Sequence, residues 1–322
     1  TWHHFNQPAP VTGKGSNPPA LTRLMDGRIC LTYGYRDAPF GLRACLSADD
    51  GASWSEEIIL RADGGNHDLV ARHIPEMKDA LYFGHPGNQG EAILWGEKIG
   101  AVPTHLSGYQ GHGSVAYPHG ILVTWALMME GGIQVNLEGR RFSNEHQGYS
   151  EQAVAVLAQP EQTAFNIFDS RLQQLGRKFE DFRNAEENGA VIVADSPAEL
   201  ATRIGIDSEA LEATLNEAGL LAESGEPDGF GRQFSADTLL RAPYCAVRVT
   251  GALFHTQGGL LVDDHARVKR ADGSVFDSLF ACGGAACGVS GPDVSGYLSG
   301  NGLLTALALG HLAGGCVGRK GG

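Results

Sequence analysis

The sequence predicts an α+β protein made of two stretches with different patterning. Three observations carry that prediction. Residues 1–69 read as short strands broken by turns, later residues read as longer helical periods, and the tail alternates strand-like runs with glycine clusters. With 322 residues and 42% hydrophobic content, the chain can bury a full core, and its length favours two domains over one.

In the first stretch, Pro19–Leu24, Arg28–Tyr33 and Gly41–Leu46 are strand candidates, with Asp26-Gly27 as the first turn, which together make a β-meander. The third strand runs into Ser47–Trp54, with the pattern S-x-D-x-G-x-x-W. Asp49 can tie down the amides of that turn, Gly51 can take a positive φ, and Trp54 can pack over the hairpin. Around His67–Val70 the patterning changes abruptly, without the Pro/Ser-rich composition of a linker, and this marks a seam.

Beyond the seam, Gly87–Gly100 reads as a glycine turn opening an amphipathic helix. Ser196 is placed as an N-cap, with Pro197 at the first helical position and Glu199 closing a capping box. Asp207 caps the next helix, whose Leu211 and Leu215 share a face. Gly259–Val262 and Val275–Ala281 are strand-like, and Leu303–Ala313 is the final helix.

Composition narrows the function classes. A net charge of −13, from 37 acidic and 24 basic residues, repels a polyanion, so no nucleic-acid partner is expected. No stretch approaches roughly 18 consecutive apolar residues, and Thr1–His4 lacks the basic start of a signal peptide. No membrane association and a cytoplasmic location are therefore expected. Six cysteines show no CxxC pair and no histidine at zinc-ligand spacing, which points to idle thiols and no metal. Glycine is the outlier, because 45 residues is about twice the usual ~7% share.

Two resemblances follow from particular segments. The Ser47–Trp54 pattern, preceded by LMDGRICLTYGYRD, resembles the Asp-box of sialidases and BNR-repeat propellers, which implies a structural turn from a single blade. Four later segments resemble the fumarate reductase/succinate dehydrogenase flavoprotein family from about Val70 to Gly314. They are PGNQGEAILWGEKIGA at 86–101, LEGRRFSNEHQGYS at 137–150, FHTQGGLLVDDHARV at 254–268 and SLFACGGAACGVSGPDVSGYLSGNGLLTALALGHLAG at 278–314.

The second resemblance implies an FAD-dependent oxidoreductase acting on a small-molecule substrate, and it specifies no electron acceptor. Residues 70–106 and 256–322 would be parts of a Rossmann-like FAD-binding domain, 107–255 a capping domain, and 1–69 a separate sialidase-like meander. Gln89, Gly90, Glu91, Gly283, Gly284, Gly300, Asn301, Gly302 and Leu303 fall on its cofactor-binding segments. Glycines there leave backbone amides unobstructed beside a helix start, which favours a negative flavin ring; the other reading is close helix–strand packing. A GxGxxG nucleotide turn is not found. Gly13–Pro18 offers G-x-G-x-x-P, but it follows no apolar strand and Pro18-Pro19 blocks a helix. An incomplete flavin site is therefore expected, with a non-catalytic hybrid and a sialidase-like glycan protein as alternatives.

The resemblance also points to substrate residues. His112, in Tyr109–His112, and His255, in a segment like the family's HTMGG, fall at substrate histidines. The family's catalytic and carboxylate-gripping arginines fall on Tyr149 and Tyr297, and its acid-and-arginine proton relay on Trp125 and Met128. A dicarboxylate would lose its bidentate partners, whereas phenols suit a carbonyl or enolate oxygen. The expected chemistry is hydride exchange between flavin and a carbon next to a carbonyl, with His112, Tyr149, His255 and Tyr297 around the substrate. Packing of the tyrosines against the flavin edge is the other reading.

Overall fold

The computed structural model describes residues 20–24, 26–35, 41–50, 52–55, 58–61, 66–85 and 87–320. The Gly13–Pro18 pattern and Gly51 lie outside the described residues.

The N-terminal stretch is an antiparallel meander of Ala20–Arg23, Ile29–Tyr35, Gly41–Ser47 and Ile58–Arg61, paired in sequence order. The fourth strand was not expected, because its Ile-Ile-Leu run lacks the two-residue alternation that marks a half-buried strand. At the turn after the third strand, the Asp49 carboxylate accepts from Ser53 N–H (2.8 Å), Ser53 Oγ (2.5 Å) and Ser47 Oγ (2.8 Å). Trp54 packs on buried Leu31 and Cys45.

The Ser53 donors, then Ser47, lower the Asp49 carboxyl from 3.8 to about 2. A lowered folded pKa gives stability that is complete above the unfolded value and lost as pH falls through the folded one. Acid titration of Trp54 fluorescence is therefore expected to change between pH 3.8 and about 2. Asp49→Asn should abolish that step; an unaltered step in the variant would assign it to another group.

The larger sheet is built on Tyr244–Thr256. Thr163–Asp169 pairs antiparallel with it from Thr163↔Thr250 to Asp169↔Tyr244. Tyr109–Ala116 pairs from Val249 to Thr256, and Ile192–Ala194 pairs beside Tyr244–Ala246. Ile133–Val135 and Ile121–Leu122 extend the two flanks, and Leu81–Tyr82 adds in parallel at Ala252–Leu253.

Alternation of side chains across the pleat divides the core. Cys245, Val247, Val249 and Phe168 pack on one side with Leu172 and Phe182. Ala246, Ile167 and Phe165 pack on the other with Leu200 and Leu211. The last two come from helices Pro197–Ile204 and Ser208–Ser224, whose caps are Ser196, accepting from Glu199 N–H at 3.2 Å, and Asp207, accepting from Ala210 N–H at 2.8 Å. Glu199 reaches back to Asp195 N–H at 3.0 Å, one residue earlier than a capping box requires.

At the seam, helix His67–His73 starts on Asn66, whose side chain accepts from Leu69 N–H and donates to Gln89 O, both at 3.0 Å. Val70, Ile74 and Met77 then pack with Tyr109 and Leu253 of the large sheet.

Two expectations for the tail are corrected. The final helix runs Asn301–Lys320, not Leu303–Ala313, because Gly314, Gly315 and Gly318 are carried inside it at a propensity cost of only about 1 kcal/mol each. That continuity also overturns the expectation that no segment is apolar enough for a bilayer. The window Asn301–Gly318 contains no charged side chain, has mean hydropathy 1.2 and is 11% buried. By length and composition alone it is long and apolar enough to cross a membrane.

Candidate active site

The site begins with how closely one helix approaches the large sheet. Helix Tyr149–Leu157 lies against Tyr109–Ala116 and Tyr244–Thr256. A Cβ on Gly113 would come 2.7 Å from Gln152 C, and one on Gly251 would come 2.6 Å from Ala153 O. Glycine at these two positions is therefore required for the approach, and the approach sets Tyr149, the first residue of the helix, over His112.

The His112 and Tyr149 rings stack, with centroids 5.1 Å apart and an interplanar angle of 22°. Trp125 meets His112 edge-on at 5.7 Å, and Phe254 lies 5.5 Å from it and stacks on Phe83 at 4.7 Å. The Tyr149 and Tyr297 hydroxyls share a hydrogen bond at 3.2 Å, and the His255 ring lies 6.4 Å from that of Tyr297. The four residues singled out in the sequence as substrate-facing are thus brought together, although Tyr149 and Tyr297 are 148 positions apart.

The charge state of this cluster follows from burial. His112 is buried, which lowers its pKa to about 3, so the ring is neutral. Its Nδ1 accepts from Ser114 N–H at 3.2 Å, which puts the proton on Nε2 and makes that nitrogen a donor. Burial likewise lowers His255. Desolvation, and then the Tyr149 hydrogen bond, push Tyr297 up to about 12, so its phenol keeps its proton. Trp125 is buried, and its indole N–H has no partner among the described residues; Met128 is wholly buried.

The residues singled out for a cofactor divide into two groups. Gly90, Glu91, Gly284 and His255 line one cavity, together with His73 and Ala285. His73 Nε2 is buried without a partner among the described residues. Gly90 takes φ +73 as the cap of helix Glu91–Lys98, and Gln89 donates its N–H to Glu91 at 3.2 Å. Gly283 begins the turn Gly283–Ala285 at φ +56.

Near the final helix, Gly300 takes φ +83, and Gly302 faces His255, whose Cε1 would be 3.8 Å from an added Cβ. Asn301 is buried with its amide turned inward, and Leu303 is exposed on the helix surface; neither lines that cavity. Of His112, Tyr149, His255 and Tyr297, only His255 borders both regions.

Two features escaped sequence reasoning. Gln257, inside the FHTQGG segment, is buried and bonds to His255, Ser290 and Asn301. Its place two residues after His255 was the available signal. The other is a buried ionic cluster around Glu145, which is wholly buried. Arg141 donates to its two carboxylate oxygens at 2.9 and 2.7 Å, and Arg232 donates at 2.8 Å. Asp228 pairs with Arg141, and Phe234 lies under both guanidinium groups at 4.9 and 4.8 Å. Burial alone would raise the Glu145 carboxyl, but Arg141 and Arg232 hold it below its ordinary range. These arginines serve the fold, not the aromatic cluster.

Residues 50–303 match the family described as FAD binding domain. The chain belongs to that family. The match starts at Asp50, within the meander, ahead of the seam. Among curated relatives, the fumarate reductase (cytochrome) of Shewanella frigidimarina is 31% identical over 261 residues, covering 80% of this chain and 45% of that protein. The 3-oxosteroid 1-dehydrogenase of Mycobacterium tuberculosis is 26% identical over 71% of this chain and 46% of its own length. The chain therefore spans less than half of these relatives.

Among solved structures, the open conformation of a flavocytochrome c3 fumarate reductase superposes with a TM-score of 0.62 at 26% identity, covering 86% of this chain and 49% of that one. A 3-ketosteroid delta1-dehydrogenase from Sterolibacterium denitrificans shares the fold with a TM-score of 0.58 at 20% identity, over 89% and 58%.

Proposed function

We propose that the chain is part of an FAD-dependent oxidoreductase that exchanges a hydride between the flavin and a carbon next to the carbonyl of a neutral, ketone-like substrate. The observation that carries this reading is the convergence of His112, Tyr149, His255 and Tyr297 into one cluster of uncharged donors. Two neutral imidazoles and two phenols match a carbonyl oxygen. They lack the fixed positive charge that a dicarboxylate needs for bidentate binding.

The residues present fit the cofactor. Gly284 leaves open space and Gly302 faces His255, while His73, whose Nε2 is buried without a partner among the described residues, lines the adjoining cavity. Gly90, Glu91 and Gly284 would hold the flavin end, with Gly300 giving the chain its turn into the last helix. FAD, when bound, supplies the hydride acceptor or donor position.

The chain's own residues would handle the substrate oxygen. Tyr149 and Tyr297 share one hydrogen bond, so the pair keeps one phenol proton that is not spent on its neighbour and can be donated to a carbonyl or enolate oxygen. His112 presents Nε2–H to the same kind of acceptor. With its pKa pushed up to about 12, Tyr297 acts as a donor and not as a base at neutral pH.

In this reading, 70–106 and 256–322 serve the cofactor and 107–255 caps the substrate. The Leu81–Tyr82 strand belongs to the sheet of the capping unit, so the two units share their boundary. Ser47–Trp54 is read as an Asp-box with a purely structural role, on the strength of the Asp49 hydrogen bonds.

The test is direct. The purified chain, after incubation with FAD and removal of excess, should be yellow and release free FAD on denaturation. A colourless product would defeat the reading for this chain and leave the non-catalytic alternative.

A further inference from the structure

Gln134 and Asn166 stand opposite each other on the paired strands Ile133–Val135 and Thr163–Asp169 and are 1% and 0% exposed. Their neighbours Ile133, Val135, Phe165 and Ile167 pack on the Leu200 side of the sheet, so alternation turns both amides to the other side, where Phe168 and Val247 pack. Two carboxamides in such a place are costly unless their polar atoms are bonded. Their bonds lead to His112.

The strand that carries His112 is irregular just past that residue. His112 pairs with Ala252 and Val115 with Thr250, which leaves Gly113 and Ser114 opposite the single residue Gly251. A bulge of this kind re-aims the side chains beside it, and here the Ser114 N–H turns back to His112 Nδ1 at 3.2 Å.

The bulge is held from the far strands. Gly113 O can only accept, so the Gln134 amide atom 2.7 Å from it is Nε2. The second proton of Nε2 goes to Asn166 Oδ1 at 2.7 Å, which leaves Asn166 Nδ2 to donate to Ser114 Oγ at 2.6 Å. Gln134 Oε1 accepts at 2.8 Å from Gln152 Nε2, on the helix that starts at Tyr149, and Gln134 N–H donates to Glu145 at 2.8 Å.

We infer that Gln134, acting with Asn166, is a positioning residue that clamps the Gly113–Ser114 bulge and so holds His112 in place under Tyr149. Both bulge residues are bonded by side chains from outside their own strand, and the same Gln134 amide engages the helix whose first ring stacks on His112. An apolar side chain of similar length would suit the surroundings but would leave Gly113 O and Asn166 Oδ1 without that donor. That His112 then meets a substrate oxygen rests on the flavoenzyme reading above; the clamp itself does not.

Backbone hydrogen exchange of the full chain, followed residue by residue by NMR, tests the clamp without flavin. Gln134→Met should speed exchange at Ser114 by roughly tenfold beyond any change at Phe168 and Cys245, a pair elsewhere in the same sheet. Equal acceleration at all three amides would make Gln134 a contributor to global stability alone and overturn the inference, and so would an unchanged rate at Ser114. If the variant does not fold, the native chain decides. Both Gln134 side-chain amide protons are engaged and should exchange far more slowly than those of exposed Asn216; equally fast exchange overturns the clamp. FAD binding measured on the same samples keeps the two ideas apart, because absence of flavin sinks the proposed function while the exchange result stands or falls by itself.

Discussion

Replacing Glu145 by glutamine is expected to destabilise the fold by about 3–5 kcal/mol, the cost of breaking a buried ion pair from one side. Glu145 is wholly buried, and two guanidinium groups donate to it. Glutamine keeps the shape but removes the charge, leaving Arg141 and Arg232 with Asp228 as the remaining carboxylate of the cluster. The amide would also place an N–H₂ where an acceptor stands against Gln134 N–H, now at 2.8 Å, or against Arg232.

Arg232 already has a buried Nε without a partner among the described residues and gains no compensating bond. Urea unfolding followed by circular dichroism measures the change. A loss below about 1 kcal/mol, the range of exposed pairs, would mean that water reaches the cluster. The cluster joins the loop before Tyr149 to residues 228–234, so its loss should also loosen the aromatic site.

Tyr297→Phe is expected to slow reduction of bound flavin by a ketone substrate by roughly 10²–10⁴-fold, the usual worth of a positioned proton donor. The ring remains and continues to pack against Tyr149 and His255, so only the hydroxyl is tested. Tyr149→Phe removes the other half of the shared hydrogen bond, so comparing the two variants assigns which phenol supplies the proton. Stopped-flow measurement of flavin reduction, with substrate binding followed separately, distinguishes these cases. An unchanged rate in Tyr297→Phe with unchanged binding would remove Tyr297 from the chemistry and leave it as packing.

Local signals were legible wherever the chemistry is local. Ser196 and Asp207 were readable as caps because a cap depends on a few adjacent residues. The meander was readable for the same reason, except for Ile58–Arg61, whose apolar run shows no alternation. The last helix extends beyond its expected end because Gly314 and Gly315 look like terminators in isolation, while in the chain they sit within continuous helix. Gln257 and Glu145 were passed over because their importance lies in partners up to 44 and 87 positions away.

The sequence by itself determined the family segments, the absence of a charged residue from 301–318, and the chemical type of the groups at 112, 149, 255 and 297. Those are properties of residue identity and order. Only the tertiary structure decided that the two tyrosines share a hydrogen bond, that His112 is neutral with its proton on Nε2, and that of these four groups only His255 borders both cavity and cluster. The physical reason is that burial, tautomer and hydrogen-bond polarity belong to the surroundings of a side chain, and those surroundings exist only once the helix and loop close on the long strand.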